Sequence, residues 1–77
     1  MATYPPNTLL HVRDRALKEK HEFYHYNYCA VETHGRFYLV NYYDKADQVY
    51  VCRSLATGVN RSWRSWEVER IKESNNG

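Results

Sequence analysis

The middle of the chain, from residue 23 to residue 54, is dominated by aromatic and β-branched residues. Two turn signals interrupt this stretch, the pair His34-Gly35 and a polar run at 44–47. Aromatic and β-branched side chains favour strands, and turn residues mark where one strand passes to the next. The pattern therefore predicts a three-stranded antiparallel meander with strands at 23–33, 36–43 and 48–54.

Shorter segments flank this meander. An apolar run at 8–12 predicts a first strand, and the sequence WEVERI at 66–71 predicts a last one. Between the first strand and the meander, Asp14 is a suitable N-cap for a short helix over about 14–22, with a long solvated loop as the alternative. The polar segment 61–65 is expected to form a 3₁₀ turn.

In the number, order and length of its strands, this arrangement resembles the small SH3-like barrels. The resemblance implies a mostly β fold, either a five-stranded barrel or a curled antiparallel meander. The stretch 13–22 would be the long loop of such a barrel, and Trp63 or Trp66 would plug an open end. We expect a flexible lead-in at 1–7, one domain at 8–71 and a frayed polar tail at 72–77.

The turns determine which side chains share a face of the sheet. A two-residue turn would place Val31 opposite Tyr38, and the following turn would place Tyr42 opposite Val49. Side chains alternate between faces along a strand. One face then collects a compact set that is expected to form the core: Cys29, Val31, Tyr38, Val40, Tyr42, Val49 and Val51. The other face is aromatic and polar, with Tyr26, Tyr28, Ala30, Phe37, Leu39, Asn41, Tyr50 and Cys52.

Composition favours binding over catalysis. A chain of 77 residues allows one small domain, which excludes a two-domain cofactor fold and a large enzyme with a deep cleft. The chain has eight tyrosines, and seven arginines against four lysines. Arginine and tyrosine are typical of binding surfaces because each combines a planar face with hydrogen-bonding groups. The net charge of +2 is too small for a polycation that binds nucleic acid without selectivity.

The sequence contains no constellation of catalytic or metal-binding residues. His21, His25 and Cys29 recur every four residues, but on a strand they would span ~26 Å, too far for one metal ion. Cys29 and Cys52 are expected in the middle of strands, as reduced and buried thiols. The glycines form no phosphate-binding loop. We therefore predict a protein that is not an enzyme and that holds no metal or other cofactor.

The aromatic face of the expected sheet carries the functional prediction. Nucleic-acid bases stack on exposed rings, while arginines contact phosphates. The segment RSWRSW at 61–66 adds alternating arginine and tryptophan, although burial is the simpler use of a tryptophan in a small domain. We predict that the protein binds RNA or single-stranded nucleic acid through Tyr26, Tyr28, Arg36, Phe37, Tyr50, Arg53, Arg61, Trp63 and Arg64.

Two other hypotheses use the same face. It could bind a protein, making the chain an inhibitor or adaptor, as in phage or mobile-element accessory proteins that block a host factor. It could also be covered by a second copy in a homodimer. No apolar run approaches the ~20 residues of a membrane helix, and the N-terminus lacks the pattern of a signal peptide, so we expect a cytoplasmic protein without membrane contact.

Overall fold

Five antiparallel strands form one sheet in the computed structural model, which describes residues 3–18 and 24–71. The strands lie in the order β4-β3-β2-β1-β5. Their bounds are Leu9–Val12 for β1, Phe37–Asp44 for β2, Val49–Ser54 for β3, Asn60–Arg64 for β4 and Val68–Arg70 for β5. Two helices, α1 at Arg15–Lys18 and α2 at Tyr24–His34, lie between β1 and β2, and a 3₁₀ turn at Ser65–Glu67 joins β4 to β5.

The predicted mostly β fold with five strands is confirmed, and its first and last strands are found with shorter bounds. In the part of the chain that the structure describes, β4 and β5 are edges that do not pair with each other, so the sheet is open and not a closed barrel. The predicted short helix is found at Arg15–Lys18. The rest of its predicted range, and the tail at 72–77, lie outside the described residues.

The first strand of the predicted meander is wrong, because the tyrosine-rich segment forms helix α2. Its buried or half-buried positions are Asn27, Ala30, Val31 and His34, which follow the 3.6-residue period of a helix. Gly35 ends the helix with φ +81°, and its N–H donates to the carbonyl of Val31 at 2.8 Å. The glycine that predicted a hairpin turn is therefore a helix cap.

The meander exists one strand further along, as β2, β3 and β4. Asn60–Arg64 is an edge strand paired with β3, which corrects the 3₁₀ turn expected at 61–65. The 3₁₀ turn comes immediately afterwards, at Ser65–Glu67.

The predicted register of β2 against β3 is wrong from the turn onwards, because Asp44 and not Tyr42 lies opposite Val49. Tyr38, Val40 and Val49 are buried as predicted, and a β-bulge explains why Tyr42 is not. The pairing of β2 with β3 shifts between Val40 and Tyr42, so that Tyr42 lies opposite Val51 and not opposite Val49. A bulge exchanges the two faces for the residues that follow it. Val40 is accordingly buried, whereas Tyr42 is 56% exposed and Tyr43 packs against Tyr50 with ring centroids 4.8 Å apart.

The core lies between one face of the sheet, the inner face, and the two helices. Trp63 is fully buried and meets the ring of Tyr38 edge-on, with centroids 5.3 Å apart. Near the N-terminus, Tyr4 stacks on Tyr50 at 5.4 Å. The buried cluster consists of Leu10, Val12, Ala16, Ala30, Tyr38, Val40, Tyr50, Cys52, Trp63 and Val68.

Two buried polar side chains tie the helices to the sheet. The amide nitrogen of Asn27 on α2 donates to Glu67 Oε2 at 2.6 Å and to the carbonyl of Ala16 on α1 at 3.1 Å. Glu67 Oε1 accepts the backbone N–H of Arg64 at 2.7 Å. A buried carboxylate needs such donors, because water cannot solvate it. These bonds fix α1 and α2 on the inner face and leave the opposite face of the sheet without a helix.

Candidate binding surface on the outer sheet face

The aromatic platform expected from the sequence does not form. Tyr26 and Tyr28 are exposed, but they lie on helix α2 and not on the sheet. Residues two positions apart on a helix project in nearly opposite directions, so these rings do not share a surface. Phe37 lies on β2, on the other side of the sheet from buried Tyr50.

Two of the predicted contact rings belong to the core. Tyr50 is 4% exposed, and its hydroxyl accepts the backbone N–H of Tyr4 at 3.2 Å. Trp63 is buried completely, as expected from the alternative that gave this tryptophan a place in the core. Neither ring is accessible for stacking on a base, which corrects their place in the predicted site.

The arginines of β4 lie close to the core. The guanidinium carbon of Arg61 lies 4.9 Å from the centre of the Trp63 ring, a cation–π contact. Within the described part of the chain, Arg61 Nε, Tyr38 Oη and Trp63 Nε1 are buried without a hydrogen-bond partner. Burial raises the pKa of Tyr38, so its hydroxyl stays protonated at neutral pH. Arg64 is half-buried, and its backbone holds Glu67.

The remaining predicted residues, Arg36, Phe37 and Arg53, lie on or beside the side of the sheet that faces away from the helices. We call this side the outer face. Pairing and alternation define it, since Leu9 lies opposite Leu39 and Leu39 lies opposite Arg53, all three between buried neighbours. Its members are Leu9, His11, Phe37, Leu39, Arg53 and Leu55.

Two shallow grooves cross the outer face and share Leu55. The larger groove has a volume of about 650 Å³ and is lined by Asn7, Thr8, Leu9, Leu39, Leu55, Arg70 and Ile71. The smaller has a volume of about 240 Å³ and is lined by His34, Gly35, Arg36, Phe37, Leu55 and Ala56. Leu55 is 53% exposed and Phe37 is 46% exposed. The apolar side chains of the two grooves, Phe37, Leu55, Leu39 and Leu9, form one apolar strip with Leu55 at its centre, and the larger groove also has polar groups from Asn7, Thr8 and Arg70 along this strip.

Charged groups surround this strip unevenly. Arg36 donates to Asp14 at 2.6 Å, and this contact lowers the pKa of the Asp14 carboxyl. His11 lies 3.2 Å from Glu69. Among residues 3–18 and 24–71, no carboxylate lies within ion-pair distance of Arg53 or of Arg70. Arg70 pairs with buried Leu10 and so belongs to the opposite face, whereas Glu69 pairs with His11 on the outer face. The outer face thus presents apolar side chains with Arg53 on one side and the His11–Glu69 pair on the other.

The structure places the two cysteines in different surroundings. Cys29 is exposed on α2, with its sulfur 3.9 Å from His25 Nε2, which corrects the prediction of a buried thiol in a strand. Cys52 is buried as predicted, and burial raises its pKa to about 12. Neither cysteine is in a disulfide. His21 lies outside the described residues, and elsewhere in the described chain no cluster of three metal-ligating side chains occurs.

Sequence reasoning missed Leu9 and Leu55 as surface residues, and it placed Leu39 beside Phe37 on the exposed face without counting it among the contact residues. The signal was the alternation around Leu9 and Leu39, which puts every second residue on the same face. It could not be read correctly, because the assignment of strand 23–33 placed a false neighbour beside β2. Neither helix of the described chain has the length and hydropathy needed to cross a membrane.

Comparisons with known proteins provide no further assignment. No family model matches the chain, and searches of curated proteins and of solved structures found no match. The outer face must therefore be interpreted from its own chemistry.

Proposed function

We propose that this protein is a non-catalytic binding module that docks a partner protein on its outer face. The observation that carries the proposal is the apolar strip around Leu55. A small soluble domain rarely leaves a contiguous apolar patch uncovered unless something binds there. The inner face of the same sheet is buried by α1 and α2, whereas no described element covers the outer one.

The shape of the strip favours a protein over a single-stranded nucleic acid. Leucine side chains fit into and around apolar residues of another protein, but they offer no planar surface for a base. Phe37 is the exposed ring of the outer face, and it is tilted against His11 with centroids 5.1 Å apart. A surface of this kind is consistent with an inhibitor of another protein or with an adaptor. The two free cysteines are consistent with the reducing environment of the cytoplasm.

A photo-crosslinking experiment tests this function. The benzophenone amino acid p-benzoylphenylalanine replaces Phe37 on the outer face, and in a control protein it replaces Tyr26 on α2. Both positions are exposed, so the two proteins should fold alike. After irradiation in the cells that encode the chain, adducts are identified by mass spectrometry and the partner is purified.

The proposal requires a protein adduct that forms from position 37 and not from position 26. Purified partner must bind the wild-type chain, and binding must weaken at least about tenfold in Leu55→Asp, since burial of a leucine is worth about 1.5–3 kcal/mol. Val59→Asp, a matched change at a 46% exposed residue outside the grooves, must leave binding unchanged. Adducts with RNA alone, or with a second copy of the chain, would replace this function by one of the other two hypotheses.

A further inference from the structure

We propose that the open edge of strand β4 binds an extended acidic segment of a partner protein as an additional strand of the sheet. The segment would carry two carboxylates three residues apart, one opposite Arg61 and one opposite Arg64. This site lies at the edge of the sheet, and it does not depend on docking at the apolar strip of the outer face.

The backbone of β4 has hydrogen-bonding groups on its open side. The N–H of Ser54 donates to the carbonyl of Val59 at 2.9 Å, and antiparallel pairing then alternates between bonded and non-bonded pairs along the strand. Asn60 and Ser62 therefore direct their N–H and C=O groups away from β3. Arg64 follows the same alternation, since its N–H donates to a carboxylate and not to β3. Asn60 and Ser62 are exposed, and no backbone group elsewhere in residues 3–18 and 24–71 bonds to them.

Positive charge is concentrated on the hairpin that ends in this edge. Residues 49–64, which form β3, β4 and the loop between them, contain three arginines and neither aspartate nor glutamate. The rest of the chain has eight basic and nine acidic residues, so the net charge of +2 comes entirely from the hairpin. Arg61 also has its Nε buried without a hydrogen-bond acceptor among the described residues. The edge is therefore complementary to a strand that carries carboxylates.

Strand geometry determines the spacing of these carboxylates. A partner residue opposite Ser62 would exchange main-chain hydrogen bonds with β4, and its neighbours would alternate between the two faces of the sheet. Arg61 and Arg64 are three positions apart, so they lie on opposite faces. Acidic residues three positions apart in the partner segment also lie on opposite faces. They meet both arginines whether the segment runs parallel or antiparallel to β4.

The same chemistry argues against other occupants of this edge. A second copy would bring together two hairpins of equal positive charge, which is unfavourable. A phosphate could contact the arginines, but the carbonyls of Asn60 and Ser62 are acceptors and would repel it. A strand supplies N–H donors to those carbonyls and acceptors to the neighbouring N–H groups. The opposite edge, β5, has only three residues and includes Glu69, so it is less suited to an acidic strand.

An NMR titration of the ¹⁵N-labelled full chain tests the inference. The probe is a synthetic eight-residue peptide of threonine and valine with glutamates at its third and sixth positions, and a second peptide with glutamines there is the charge control. Two N-methylated forms of the glutamate peptide separate strand pairing from simple attraction. In either strand direction, the fifth amide of the peptide donates to the Ser62 carbonyl and the fourth amide points away from β4.

The glutamate peptide should shift the backbone amides of Asn60 and Ser62 more than those of other strands. Its affinity should fall at least about fivefold when glutamines replace the glutamates, because the charge-assisted contacts are lost. Methylation of the fifth amide should weaken binding at least about tenfold, because it removes a donor and places a methyl group between the strands. Methylation of the fourth amide should change the affinity less than about threefold, because this amide faces solvent.

Variants of the protein test the same contacts from the other side. Arg61→Gln with Arg64→Gln should weaken binding of the glutamate peptide about as much as the glutamine peptide is weakened in wild type. Lys18→Gln with Arg70→Gln is an equal change of charge at exposed residues of α1 and β5, and should alter the affinity less than about twofold. Unchanged circular dichroism confirms that each variant folds, and the peptide series decides the inference if one does not.

Several results would overturn the inference. Equal binding of the two N-methylated peptides would reject strand addition, and equal binding of the glutamate and glutamine peptides would reject an acidic partner. Absence of shifts at Asn60 and Ser62 at about 1 mM peptide would reject the site. Shifts of these amides that appear instead with an eight-nucleotide single-stranded RNA, or on raising the protein concentration alone, would assign the edge to phosphates or to a second copy. Crosslinking from position 37 decides the outer-face proposal independently.

Discussion

The inner and outer faces of the sheet are built from the same strands, and one residue alternates with the next between them. On the inner face, Tyr38, Cys52 and Trp63 are completely buried beneath helices that a hydrogen-bonded Asn27–Glu67 pair holds in place. On the outer face, Phe37 and Leu55 are about half exposed. The difference shows that apolar content does not decide which side of this sheet becomes core. The positions of the helices decide it.

The largest contrast between the faces should appear in the free energy of unfolding. Trp63→Ala removes the largest buried side chain and leaves a cavity, so a loss of about 3–5 kcal/mol is expected. Phe37→Ala on the outer face should cost less than about 1 kcal/mol, because half of its ring is already in water. Urea denaturation followed by circular dichroism measures both. Equal losses would show that the outer face is covered in solution.

The hydrogen bonds of the inner face should also contribute more to the free energy of unfolding than those of the outer face. Asn27→Ala removes the donor to Glu67 Oε2 and to the Ala16 carbonyl, and should lower the free energy of unfolding by about 2 kcal/mol. Asn60→Ala removes an exposed bond of 3.1 Å from Asn41, and should cost about 0.5 kcal/mol or less. Thermal denaturation of the pair measures the difference. A loss of stability in Asn27→Ala as small as that in Asn60→Ala would mean that water replaces the amide and that the helices are loosely held.

Thiol chemistry gives a third contrast, between the core and the exposed surface of α2. Iodoacetamide should modify Cys29 in the folded protein and should reach Cys52 only on unfolding, because a buried thiol with a pKa of about 12 stays protonated. Mass spectrometry of timed samples measures both rates. Modification of the two thiols at equal rates in the native protein would contradict the buried position of Cys52.

The same burial makes stability depend on alkaline pH. The pKa of Cys52 rises from 9.0 to about 12 on folding, so the unfolded chain releases this proton first. The stabilisation that the protonated Cys52 thiol gives to the folded state is complete below pH 9 and is lost as the pH increases towards 12. The free energy of unfolding should therefore fall over that interval. Cys52→Ala, measured beside wild type by urea denaturation, should reduce this slope. An unchanged slope would assign it to other groups, such as Tyr38.

The smallest effect is expected at the rim of the outer face. Arg36→Gln removes the guanidinium group and its positive charge beside Asp14, so the lowered pKa of Asp14 should return towards 3.8. A carboxyl group whose pKa is lowered on folding stabilises the folded protein at pH values above its unfolded pKa, and this stabilisation is lost as the pH falls through the folded pKa. The stability of the variant should therefore differ from that of wild type most above pH 4. Because Asp14 is exposed, the change in stability should be slight, and NMR titration of the carboxyl is the appropriate measurement. An unaltered Asp14 titration would show that the ion pair does not persist in solution.

Local sequence patterns were sufficient to predict an element where a single structural preference dominated its residues. The short apolar run at 8–12 predicted β1, the aromatic stretch and its polar turn predicted β2 and β3, and the presence of only two cysteines predicted free thiols. These features depend on backbone preferences of neighbouring residues. The sequence alone thus determined a small, mostly β domain and located four of its five strands.

Tertiary structure decided what local preference could not. Tyr24–His34 has the aromatic residues of a strand, but burial of Ala30 and the bonds of Asn27 to Glu67 stabilise it as a helix. The bulge after Val40 then exchanged the faces of the following residues. The candidate surface changed in consequence from a predicted row of tyrosines to an apolar strip on the outer face. Which face is exposed depends on residues distant in sequence, and no local pattern contains that information.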